Sequence, residues 1–329
     1  MKKISKILAI VSSIVLTATS FTGCGVKNAS GNYPTKPIQV IVPFAPGGGS
    51  DIITRAIMKY IELPNNQNLV AINVEGASGY IGAQQAANSK NDGYTILAHN
   101  PMDLASYSLS KTATQELYKD MELICNVVND FNVISTSKNT GWKSIEDVID
   151  YINANPNENI KWGVTGSKNS NFGDTLRVAQ AYKIDKNVTI VPYDGGAASK
   201  TALMGGHIKL EMNTASDIRS SVASGDAVPL LVIGSKRATL LPDVPCTAEL
   251  GIDITTAKPR GYYAPKGTDP EIIKILADSI KKVTENPEFV KTIEDLGLEV
   301  NYVEGKDIQP DIEVWANDLI PVFEQMLGE

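Results

Sequence analysis

Val42-Pro43-Phe44-Ala45-Pro46-Gly47-Gly48-Gly49-Ser50-Asp51 joins a short β-branched run, Ile38 to Pro43, to a stretch with helical apolar spacing, Ser50 to Ile61. A buried strand, three glycines and a helix start are one unit of an α/β fold. Glycines let the backbone pass close to a ligand, and a helix start adds unpaired N–H donors and a partial positive charge. That combination suits an anion. No Gly-Lys-Ser/Thr follows, so this is not a P-loop, and Ile52 stands where a dinucleotide fingerprint needs its third glycine. The same stretch also reads as a flexible turn with Ser50 as N-cap. Asp51 suits a helix N-terminus but would repel a nearby anion, and it has Arg55 one turn on as an i,i+4 partner.

Outward from this loop the pattern repeats. Leu69 to Val74 reads as a strand, Gly76 to Gly79 as a turn, and the helix that follows runs through Ala87; Asp92-Gly93 then turns into a strand from Tyr94 to Ala98. The β-α-β-α-β order predicts a parallel sheet with crossover helices. A second set follows: strands at Ile160–Val164, Val188–Val191, Ile208–Met212 and Pro229–Ile233, with helices at Phe172–Tyr182, Ala197–Met204 and Ser216–Ser224. From Pro270 the chain reads as mostly helical. The fold class is therefore α/β, in two lobes: residues 34–127 with 234–329, and residues 128–233. Hinges are expected near Asn126 to Asn132 and Ile233 to Ser235.

In parallel sheets ligands bind beyond the C-terminal ends of strands. Two second-lobe loops meet that description, Thr165-Gly166-Ser167-Lys168-Asn169-Ser170-Asn171 and Pro192-Tyr193-Asp194-Gly195-Gly196. His99 and Asn100 close a first-lobe strand, and His207 opens a later one. Each loop alone also reads as a plain turn. There is no Gly-x-Ser-x-Gly elbow and no His-Glu-x-x-His, so no catalytic constellation is local in sequence.

The 329 residues include 30 Lys+Arg, 37 Asp+Glu and two His, with 43% hydrophobic residues, enough for a full core. The net charge of −7 becomes −10 once Lys2, Lys3 and Lys6 are set aside with the leader. Such a body offers no broad basic surface for nucleic acid. Two histidines and three cysteines argue against a zinc cluster or a disulfide scaffold. No metal or cofactor is called for. Cys125, in an apolar run, and Cys246, after Pro245, could pair in an exported protein but read more simply as buried thiols.

Residues 1–23 combine a lysine-rich start, the apolar run Ile7 to Leu16 and small residues, the pattern of a secretory signal. Phe21-Thr22-Gly23-Cys24 resembles a bacterial lipobox, in which the cysteine is lipidated. That would leave Cys24 anchored to the outer face of the cytoplasmic membrane, with residues 24–33 as a tether.

The mature chain resembles the tripartite tricarboxylate transporter substrate-binding family, also called the Bug receptors. The resemblance rests on Tyr33-Pro34-Thr35-Lys36-Pro37-Ile38, the glycine loop, Gly82 and Asp92-Gly93-Tyr94-Thr95. It continues through Val191-Pro192-Tyr193, Leu203-Met204-Gly205-Gly206 and Leu241-Pro242-Asp243-Val244-Pro245. Glu249, Gly251 and Ala264-Pro265-Lys266-Gly267-Thr268 complete the ordered set. It implies a two-lobed periplasmic-binding-protein fold of the Venus-flytrap kind. It also implies a receptor, acting as a monomer, that closes on a small carboxylate and delivers it to membrane permease subunits. Carried over position by position, Phe44, Ala45, Gly47, Gly48, Ser50 and Asp51 form one wall with Asn100. Gly166, Ser167, Ser170, Asn171, Tyr193 and Gly195 form the other, with Ser216 and Asp217 on a further loop. The sequence departs from the family in the loop Lys168 to Phe172 and at Pro259, where a tryptophan is usual. Lys168 could meet a second ligand carboxylate or face solvent. A sensor reporting to a membrane partner fits the same sequence; an exported enzyme using His99 or a cleft aspartate is a weaker alternative.

Overall fold

The structure, a computed structural model, describes residues 29–109, 111, 115–167, 169–254 and 258–327. Residues 1–23, Cys24 and Lys168 lie outside the described residues; of the tether, Ala29–Asn32 form one 3-10 turn.

The first lobe begins with β1 (Ile38–Val42), α1 (Gly49–Tyr60), β2 (Leu69–Asn73), α2 (Tyr80–Ala87), β3 (Thr95–His99) and α3 (Pro101–Leu109), followed by β4 (Met121–Asp130). β1 pairs in parallel with β2 and β3, so the ends of all three strands deliver their loops to one edge of the lobe. Ile53, Ala56 and Ile57 of α1 are buried while Ile52 and Arg55 face outward, as the helical spacing requires.

After β4 the chain crosses at Phe131 into a second sheet. It holds β5 (Asn132–Ser137), α4 (Ile145–Ala154), β6 (Ile160–Thr165), α5 (Ser170–Ala181), β7 (Val188–Tyr193), α6 (Gly196–Met204), β8 (Leu210–Thr214), α7 (Ala215–Ala223) and β9 (Ala227–Ile233). The chain then returns through β10 (Lys258–Pro265), α8 (Pro270–Thr284), α9 (Pro287–Asp295), β11 (Glu299–Glu304) and α10 (Gly305–Leu327). The sheet orders are β11-β4-β10-β3-β1-β2 and β7-β6-β8-β5-β9.

Both sheets are mixed, where the βα rhythm predicts parallel ones. β10 runs antiparallel to β3 and β4, and β5 antiparallel to β8 and β9. These antiparallel strands carry the chain between lobes, and β11, which does not, also runs antiparallel to β4. The lobe limits also move. β4 stays in the first sheet to Asp130, three residues past the expected boundary. Beyond β9, Ala238, Leu241 and Cys246 pack on Phe131, Val133 and Val232, so residues 234–254 belong with the second lobe. Thr247 fixes that segment by hydrogen bonds to Gly234 and Ile254 carbonyls. Cys125 and Cys246 are both buried and free.

One buried acid in the second lobe predicts a pH dependence. Glu211 of β8 is fully buried, and its oxygens accept from Ser135 at 3.2 Å and Ser199 at 3.1 Å. Burial pushes its carboxyl up to about 7 from the usual 4.5, against the pull of both hydroxyls and Lys200. The folded protein thus keeps a proton that the unfolded chain loses. This stability is complete below about pH 4.5 and lost as pH rises through 7, a difference of about 3 kcal/mol. Glu211→Gln is expected to flatten this fall. In urea unfolding at pH 5 and pH 8, the wild type should lose more stability between the two than the variant does. Equal losses would contradict the assignment.

Candidate functional site

The site lies where the ends of β1, β2 and β3 face those of β6, β7 and β8. On the first wall, α1 starts at Gly49 with Gly48 as N-cap, and no side chain caps it, so Ser50 lies inside the first turn. Gly47 takes a positive φ of 81°, which a side chain would strain. Its N–H donates to Asp51 at 2.9 Å, and Arg55 Nε and Asn73 Nδ2 donate to the same carboxylate at 2.9 and 3.1 Å. Burial pushes the Asp51 carboxyl up, but these donors outweigh it and hold it below the usual carboxylate range. Asp51 is therefore the internal anchor of the glycine loop, with its oxygens committed inside its own lobe. Asn73 also donates to the Phe44 carbonyl at 2.9 Å, and Phe44 stands edge-on to His99, 5.5 Å between rings. Gly48 donates to the Ala45 carbonyl, closing the turn. Ala45 itself is exposed.

His99 and Asn100 end β3 in the buried interior. Asn100 N–H donates to His99 Nδ1 at 2.7 Å, and His99 Nε2 lies 2.9 Å from Tyr107 Oη. With Nδ1 accepting, the imidazole is neutral, and burial lowers its pKa to about 4. Both ring nitrogens are thus engaged within the first lobe, which leaves His99 no free nitrogen for acid/base work. Asn100 Oδ1 caps the Met102 N–H at 2.8 Å, while its Nδ2 is buried without a partner.

On the second wall Gly166 has a φ of 78° and donates to the Tyr193 carbonyl at 2.8 Å. Gly195, also at positive φ, donates to that same carbonyl. Tyr193 and Gly195 thereby brace the Gly166 loop. Ser167 is exposed. Asn169 caps α5 through Phe172 N–H at 3.2 Å and donates to Thr165 O at 3.0 Å. Asn171 donates to the same carbonyl, and its Oδ1 is buried without a partner, as is Thr165 Oγ1.

The two walls meet. A Cβ on Gly166 would lie 3.2 Å from Ser78 Oγ of the first lobe. Ser170 Oγ donates to Asp103 Oδ1 of α3 at 2.5 Å, and Lys258 Nζ lies 3.2 Å from Ser170 and 3.7 Å from Asp103. Burial raises the Asp103 carboxyl, yet Lys258 and Ser170 help hold it below its usual value. Beside this tie, Arg260 donates through Nη1 to Ser50 at 3.2 Å and through Nη2 to Asp130 at 3.0 Å. Ser216 Oγ donates to Asp130 at 2.6 Å, so Ser50, Arg260, Asp130 and Ser216 form one chain of hydrogen bonds from α1 to α7. Thr214 caps α7, its Oγ1 accepting from the Asp217 N–H and lying 3.0 Å from the Asp217 carboxylate, to which it donates. Arg260 Nε is buried without a partner.

Lys258, Arg260, Asp103 and Asp130 are not foreseen from sequence. The closed seam leaves a void of only about 10 Å³ beside Ser50, His99 and Arg260. A groove of about 1020 Å³ lies instead at the opposite end of the first lobe, along Met121, Leu123, Ile273, Ala277 and Gly305. Among the described residues no group of three His, Cys, Asp or Glu could hold a metal, and no helix is long and apolar enough to cross a membrane.

Comparison with known proteins follows the same lines. A family model described as a tripartite tricarboxylate transporter family receptor matches residues 53–317. Protein BugT of Bordetella pertussis is 28% identical over 292 residues, 87% of each chain. The solved periplasmic binding protein BugD has a TM-score of 0.78 at 26% identity, over 89% of this chain and 98% of its own. An R. palustris protein solved with adipate has a TM-score of 0.80 at 25% identity, over 90% of this chain and 98% of its own. The two lobes are those of the periplasmic-binding-protein fold.

Proposed function

The chain belongs to the tripartite tricarboxylate transporter receptor family, and on that premise we propose that this solute-binding receptor captures a small carboxylate between its lobes and passes it, unchanged, to membrane permease subunits. Cys24 carries the lipid that keeps it at the outer face of the cytoplasmic membrane, and the receptor works as a monomer. The observation that supports the cleft most is a set of buried polar atoms without protein partners on both lobes: Asn100 Nδ2 after β3, Thr165 Oγ1 at the end of β6, Asn171 Oδ1 in the first turn of α5 and Arg260 Nε in β10. Leaving each buried donor or acceptor unmade costs roughly 1–3 kcal/mol. A bound carboxylate, with ordered water, supplies the missing partners. The positive end of α1 and the Arg260 guanidinium both favour an anion beside Ser50.

Thermal unfolding with a panel of small carboxylates tests this reading. A ligand at about 100 times its Kd should stabilise the protein by about 2.7 kcal/mol. No shift with any carboxylate would contradict the proposal.

A further inference from the structure

We propose that the receptor selects ligands bearing one carboxylate, because Asp103 supplies a second carboxylate to the closed cleft from within the chain; this rests on the carboxylate-receptor reading above. Asp103 stands against the start of α5, an anion seat of the second wall, through the Ser170 hydroxyl. Its Oδ1 accepts from Ser170 at 2.5 Å, and Lys258 stands against both. Asp103 and Lys258 are each buried, so seat and cation are used together. Asp103 also lies in the first turn of its own helix, α3, and so sits at two helix N-termini at once.

The other cations of the seam are matched in the same way. Arg260 faces Asp130 at 3.0 Å, with Asp217 in electrostatic reach. Lys200, inside α6, acts on Glu211 and Asp217. Arg177 lies 3.7 Å from Asp174. Lys258, Arg260 and Arg177 thus each have a carboxylate of the protein beside them, and Lys200 acts on Glu211 and Asp217 from farther off, without an ion pair. What remains for a ligand is chiefly one set of donors, the first-turn N–H groups of α1, Asn100 Nδ2 and Arg260 Nε, faced by the single Thr165 hydroxyl of the second wall. One carboxylate fits there. A second would be desolvated and would meet Asp103 as a like charge, with Lys258 and Arg260 already paired.

Isothermal titration of the purified full chain with length-matched pairs tests the proposal: butyrate and succinate, pentanoate and glutarate, hexanoate and adipate. The monoacid of the best pair should bind at least 10-fold tighter than its diacid. Asp103→Asn keeps an acceptor for Ser170 but removes the built-in charge and frees Lys258, so the preference should shrink at least 10-fold. If that variant fails to fold, Asp103→Asn with Lys258→Met removes both charges, and the preference should shrink in it as well. A diacid that binds as tightly as its monoacid in the wild type, or a preference unchanged in the folded variant, would overturn the proposal while leaving the receptor reading intact. If no acid of any pair binds, the receptor reading falls and this proposal with it.

Discussion

Arg260→Ala is expected to destabilise the protein by about 3–5 kcal/mol and to abolish ligand binding. The guanidinium is the counter-ion of Asp130, whose side chain is fully buried. Removing one partner of a buried ion pair leaves an uncompensated charge, and that penalty sets the magnitude. Gly49 lacks the Cβ that would lie 3.0 Å from Arg260 Nη2, which is why the guanidinium can rest against the start of α1. The second effect follows from position: Ser50 and Ser216 are linked through Arg260 and Asp130, and without that link the two walls lose a shared reference. The double variant Arg260→Met, Asp130→Asn separates the two effects. It should recover most of the lost stability, because no buried charge is left alone, yet it should still bind no carboxylate. Urea unfolding and titration calorimetry on the three proteins check this. A double variant that binds like the wild type would show that Arg260 serves only stability.

Gly166→Val is expected to cost about 2–4 kcal/mol and to weaken ligand binding more than 100-fold. At a φ of 78° a β-branched residue is strained by roughly 1–2 kcal/mol. Its Cβ would also lie 2.4 Å from Asn169 Nδ2, so the α5 cap must move, a loss of roughly 0.5–2 kcal/mol. The same methyl groups would push toward Ser78 and hold the walls apart. Gly206 provides the control, since its φ is 70° with open space around it. Gly206→Val should show the backbone strain and leave affinity unchanged. Equal binding losses in the two variants would refute the steric account.

Much of the fold is legible because its signals are local. The glycines after β1, the helical spacing in α1 and Pro270 at the start of α8 all act within a few residues of themselves. The mixed direction of the sheets is not legible, because a strand's partner is set by the crossing between lobes and not by its own composition. The seam is hidden for the same reason. Asp103 meets Ser170 across 67 residues, and Asp130 meets Arg260 across 130. Beyond Ser50, Ser170 and Ser216, the sequence trace of that seam is Lys258-Pro259-Arg260 at the head of the apolar run Gly261-Tyr262-Tyr263-Ala264, where two positive charges enter a buried strand. Asp51 teaches the converse. It stands in the most ligand-like loop, yet its carboxylate takes donors from Gly47 and Arg55 close by in sequence and from Asn73 on β2, a partner the sequence does not announce.

Hydrogen–deuterium exchange on the full chain, with and without a saturating carboxylate, tests the cleft most directly. The account predicts that protection rises together in Phe44–Asp51 and Asn169–Thr175, one segment from each lobe, and does not change along the distal groove at Met121–Ile124 and Gly305–Gln309. Protection confined to the groove, or to one lobe alone, would contradict it.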